Sequence, residues 1–94
     1  MTPEQFQPHL GRQFQCAPRD SVGAVEAELI EVNVGDGEDV IRTDSAPFTL
    51  LFRVELEQEQ GSYLVEGPDG EIGEIFMTPV SAGSPGHYLE AVFN

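Results

Sequence analysis

Apolar residues in this chain recur first at the spacing of one helical turn and then at every second position. Phe6 and Leu10 stand four apart, on one face of a helix. Thr2, Pro3 and Gln5 mark its start: the Thr2 hydroxyl can accept from the Gln5 amide, and Pro3 fills the first helical position, where no N–H is needed. Gly11 supplies a left-handed stop. The pattern predicts a short helix over residues 3–10, docked through Phe6 and Leu10 because two turns do not stand alone.

From Arg12 onward the period is two. "RQFQCA" alternates, "APRDSVG" reads as a turn, and "AVEAELIEVNV" alternates through Val25, Ala27 and Leu29 before its phase shifts to Ile30, Val32 and Val34. A shift of one residue inside a strand is the mark of a β-bulge, the device that bends a small sheet toward closure; the alternative is a strand partly covered on both faces. "PFTLLFRVELE" is the clearest strand. It sets Phe48, Leu50, Phe52, Val54 and Leu56 on one face and Thr49, Leu51, Arg53, Glu55 and Glu57 on the other.

Hairpins fill the rest. "GPDGE" after "SYLVEG" is a strong turn, with Pro68 fixing φ at the first corner and Gly70 free to take positive φ. Pro79 in "IGEIFMTPV" has no amide to donate and marks a strand end or edge. "HYLEAVFN" closes the chain and is expected to be held inside the sheet, since an apolar terminal strand gains nothing unpaired. The fold class that follows is mainly β: a single domain over residues 1–94, an antiparallel meander curling into a small barrel or two-sheet sandwich, with one short N-terminal helix over one end.

Composition narrows the function. Ninety-four residues make one core, and 39% are hydrophobic. Seventeen Asp and Glu stand against four Arg and no Lys, a formal net charge of -13. Such a surface repels phosphate backbones and anionic membranes, so neither nucleic acid nor membrane is an expected partner; another protein, and a basic one, is. The lone Cys16 closes no intrachain disulfide, and "MTPEQFQPHL" shows no secretory signal. Cytoplasmic residence is the expectation.

Four sets of residues are candidates for chemistry. Asp36, Glu38, Asp39 and Asp44 crowd "GDGEDVIRTDS", yet Ile41 stands where a calcium loop of the EF-hand type needs Gly, which leaves them weak metal candidates in a solvated loop. His9, Cys16 and His87 lack any paired ligand spacing, and no cofactor is expected. Ser84 lies three residues before His87, without the G-x-S-x-G elbow of a nucleophile. The outward register of residues 48–59 aligns Arg53, Glu55, Glu57 and Glu59, and Glu26 and Glu28 extend this acidic face, with Arg53 as its internal counter-ion. Those six are the expected partner-binding residues.

Phe6, Leu10, Gly11 and Phe14, the strand "FTLLFR", the hairpin "GSY" and the ending "YLEAVFN" together resemble a family of short bacterial proteins known as a domain of unknown function. Leu89, between Tyr88 and Glu90, departs from the family pattern and is expected to shift the register of the last strand. The resemblance covers most of the chain and implies a fold rather than a chemistry. It also implies an accessory or assembly role beside proteins with phage-tail-collar-like domains. The expected function is therefore a small acidic binding or assembly module, not an enzyme, accessory to a phage-tail-like or other multi-protein assembly. The alternatives are a DNA mimic or inhibitor acting through its acidic surface and, third, a hydrolase.

Overall fold

The computed structural model describes residues 1–20, 23–35, 47–81, 83 and 85–93. Two short helical turns, Pro3–Gln5 and Gln7–His9, precede six strands: β1 (Gln13–Pro18), β2 (Val25–Val34), β3 (Phe48–Val54), β4 (Gly61–Gly67), β5 (Gly70–Val80) and β6 (His87–Phe93). All neighbours are antiparallel, and the sheet closes into a barrel in the order β1-β2-β3-β6-β5-β4, with β4 paired back to β1. Of the two architectures expected, the chain adopts the barrel.

The strand order is not the simple meander expected. β1-β2-β3 and β4-β5-β6 are each a three-stranded meander, but β3 pairs with β6 and β1 with β4. Alternation fixes which side chains point inward and carries no information on which strand lies beside which. The crossing runs through residues 55–60, where the Tyr63 hydroxyl donates to the Glu59 carbonyl. That bond, four residues back along the chain from the start of a strand, pins the connection in the manner of a tyrosine corner.

The bulge falls where the phase shift placed it. Leu29 pairs with Phe52 and Glu31 with Leu51, leaving Ile30 as the extra residue, so Ala27 and Leu29 before it and Val32 after it share the inward register of β3. A second bulge lies at Val65 and Glu66 in the β4–β5 ladder. The hairpin there turns through Pro68 and Asp69, and Gly70 holds φ at 128°, which only glycine adopts without strain. Pro79 stands one residue from the end of β5, past the last β4–β5 pair, Gly61 with Met77, and opposite Leu89 of β6, which is the strand end expected of it.

The N-terminal helix forms over residues 3–9, but as two 3₁₀ turns. In a 3₁₀ turn residues three apart share a face. Pro3, Phe6 and His9 therefore point at the barrel, and Leu10, expected to dock beside Phe6, is 48% exposed. The Thr2 N–H reaches the Gln5 side chain at 2.9 Å, and the Gln5 N–H reaches the Thr2 carbonyl at 3.1 Å. Gly11 makes the expected left-handed stop at φ 82° and donates to the Leu29 carbonyl, tying the segment to β2.

Phe6 plugs one end of the barrel. Its ring lies 6.2 Å from those of Phe14 and Phe48 and 6.4 Å from that of Phe93, while Phe48 and Phe93 stack at 4.4 Å. Phe52 meets the edge of Phe14 deeper in, at 5.5 Å. Leu29, Leu50, Val65, Met77, Leu89 and Ala91 complete an apolar interior, and no polar or charged residue is buried among the described residues. Leu89 does not shift the last strand: β3 and β6 pair without interruption from Phe48 with Phe93 to Val54 with His87.

Candidate binding surface

Since the inside is filled, any chemistry belongs to the outside. Across β1, β2, β3 and β6 the pairings Gln13 with Glu28, Glu28 with Arg53 and Arg53 with Tyr88 lay a polar belt around the barrel. Arg53 donates to Glu28 at 2.7 Å as a directly opposed cross-strand pair. Both groups reach solvent, so the pair contributes at most about 1 kcal/mol; its effect is to hold the guanidinium beside Glu28 on β2.

Above this belt opens a shallow groove of about 680 Å³, roofed by the connections that follow β3 and precede β6. Glu26, Glu28, Arg53 and Glu55 line it together with Leu56 and Pro85. Four of the six residues expected to bind a partner thus meet on one surface, three carboxylates around one guanidinium. Leu56, like Leu10, lies outside the core that its spacing predicts. Expected in the core, it is 73% exposed in the groove. The reason is that both ladders of β3 end at Val54, opposite Ala27 and His87, so the alternation of Leu56 continues past the last partner strand.

The same ending corrects the acidic row. Residues 48–59 are not one strand, and Glu55, Glu57 and Glu59 lie in the connection after β3 rather than in register on it. Glu57 and Glu59 line a separate depression with Arg19 and Asp20. Arg19 itself reaches across to Glu74 at 2.7 Å.

The other candidates scatter. Asp36, Glu38, Asp39, Asp44 and Ser84 lie outside the described residues. His87 is exposed at the start of β6. His9 sits at the plugged end, its Nε2 3.3 Å from Asp69 and its ring edge-on to Phe14. Among the described residues no group of three or more His, Cys, Asp or Glu side chains is placed to share a metal ion, and no helix is long and apolar enough to cross a membrane.

Cys16 is fully buried on β1, and burial pushes its thiol up to about 12. Burial raises the Tyr63 phenol as well, with the charges of Cys16 and Glu59 adding to the effect. The neutral thiol is the form the core accepts. Stability from this group is therefore complete below about pH 9 and falls as pH rises toward 12, by about 1.4 kcal/mol per unit inside that window. Urea unfolding at pH 8 and pH 10.5 is expected to show this loss, and a Cys16→Ala chain to show a flatter dependence. Equal pH dependence in the two chains would remove Cys16 as its source. At pH 8 a thiol reagent is expected to label Cys16 only as fast as the barrel opens.

The motif residues now have places: Phe6, Phe14, Phe48, Leu50 and Phe52 are core, Gly11 is a stop and Tyr63 is a strap across the barrel end. A family model matches residues 1–93 of the chain. The chain belongs to the family Domain of unknown function (DUF6916). No curated protein and no solved structure matches it. Membership of DUF6916 attaches no chemistry to the groove.

Proposed function

We propose that the protein is a non-enzymatic binding module, accessory to a larger protein assembly, whose groove on β1, β2 and β3 receives a basic segment of another protein. The observation that carries this reading is the meeting of Glu26, Glu28 and Glu55 with the exposed Leu56 in one open groove. Carboxylates there favour Lys or Arg, and Leu56 gives an apolar side chain between them somewhere to rest. The formal charge of -13 opposes phosphate-bearing partners. A reducing compartment such as the cytoplasm suits the single buried thiol.

A short peptide alternating Lys with Ser, titrated into the intact chain, tests the electrostatic half of this reading. Binding is expected to shift amide resonances of β2 and of residues 53–56, to weaken as salt rises and shortens the screening length, and to weaken again in a Glu26→Gln, Glu55→Gln chain. Binding that leaves these residues unmoved, or that the double substitution does not change, refutes it. Competition with duplex DNA for a basic DNA-binding protein would move the assignment to a DNA mimic. A hydrolytic turnover abolished by His87→Ala in a folded chain would move it to an enzyme.

A further inference from the structure

The opposite half of the barrel carries apolar side chains that neither the core nor the groove uses. On the outside of β4, β5 and β6 stand Leu64, Phe76 and Val92, 48%, 55% and 56% exposed. Ser62 pairs with Phe76 and Leu64 with Glu74, so Leu64 and Phe76 are diagonal neighbours, a spacing that long and aromatic side chains span. Thr78 pairs with Glu90, and Phe76 and Val92 each lie two residues from that pair, on the outer face and toward the same end of the barrel. On every one of the three strands the apolar residue stands two places from a carboxylate on the same face: Glu66, Glu74 or Glu90.

We infer that this face docks a segment of a second protein in which Lys or Arg alternates with aliphatic side chains. Charge selects the occupant. Anything that covers Phe76 and Val92 also strips water from the carboxylates that flank this face, of which Glu74 already holds Arg19 while Glu66 and Glu90 lie open to an incoming cation, and that is unfavourable unless cations arrive with it. The chain has four Arg and no Lys, and Arg19 and Arg53 are already paired with Glu74 and Glu28. A second copy brings more carboxylates, and a lipid or nucleic-acid surface brings phosphates. A cationic segment with aliphatic residues between its charges satisfies both components of the face. In barrel order β6-β5-β4 is the half that β1-β2-β3 is not, so this site is separate from the groove and stands or falls independently of it.

The test uses the intact 15N-labelled chain and three synthetic peptides, alternating Lys with Leu, Lys with Ser and Glu with Leu. The Lys–Leu peptide is expected to shift amides of residues 62–66, 74–78 and 90–92 and to bind on the order of tenfold more tightly there than the Lys–Ser peptide, with no binding by Glu–Leu. Phe76→Ser, at a position more than half exposed, is expected to weaken it on the order of tenfold while the spectrum of the free chain stays dispersed. Val92→Thr, nearly isosteric, is expected to weaken it less. Shifts confined to the groove, equal binding of the two Lys peptides on this face, or undiminished binding by both variants would overturn the inference. So would sedimentation showing a dimer that Phe76→Ser dissociates, which would assign the face to a second copy.

Discussion

Deletion of Leu51 is expected to abolish the native fold, although Leu51 itself is only half-buried. It is the residue that lets Leu50 and Phe52 face the same side of β3, and the β3–β6 ladder carries no bulge to absorb its loss. Without it one half of β3 must turn over, because a shift of one residue exchanges the two faces. Either Arg53 enters the core and Phe52 and Val54 leave it, or Thr49 enters and Phe48 and Leu50 leave. An unpaired guanidinium inside a barrel with no buried polar partner, or the loss of two core side chains, is unfavourable by several kcal/mol, against a total stability of about 5–15 kcal/mol for a domain. Circular dichroism should show no cooperative melt in the deleted chain. Leu51→Thr, which keeps the count and loses part of one apolar side chain, should still melt cooperatively with a loss of about 1 kcal/mol.

Phe6→Ala is the second large effect. The ring is fully buried against Phe14, Phe48 and Phe93, and its removal leaves the barrel end open; about 3–5 kcal/mol is expected to be lost, enough to lower the melting temperature by roughly 15 °C or more. Leu10→Ala is the control. On an α-helix Leu10 would share the buried face with Phe6 and its loss would be comparable. On 3₁₀ turns it faces solvent, and the change is expected to stay within about 0.5 kcal/mol. Parallel denaturant melts of the two chains therefore report the winding of the N-terminal segment as well as its contribution.

These two sites mark how far alternation alone reaches. The inward set of β3, the bulge at Ile30, the turn at Pro68 and Gly70 and the stop at Gly11 are local consequences of side-chain period and backbone freedom, and each is present. What local pattern does not carry is length and neighbourhood. β3 ends at Val54 because its partners end, although Leu56 and Glu57 continue the same alternation in the sequence. The pairing of β3 with β6 depends on a crossing that no residue type announces, apart from Tyr63 four residues beyond Glu59. The acidic surface followed the same rule: Glu26, Glu28 and Arg53 could be grouped from register, whereas Glu55 and Leu56 joined them through the strand's end. The outer triad of Leu64, Phe76 and Val92 was hidden for a related reason. Its members lie on three strands, and nothing in the sequence says that those strands are neighbours in that order.

The claim that ties fold to function is that the outer carboxylates are spare: the barrel does not need them, and a basic partner does. A chain with Glu26, Glu55, Glu57 and Glu59 all changed to Gln tests it when its affinity for the Lys–Ser peptide and its melting temperature are taken on one preparation. The affinity is expected to fall sharply while the melting temperature holds or rises, because like-charge repulsion is relieved. A lowered melting temperature with undiminished peptide affinity would show instead that these side chains serve the fold, and would contradict the claim.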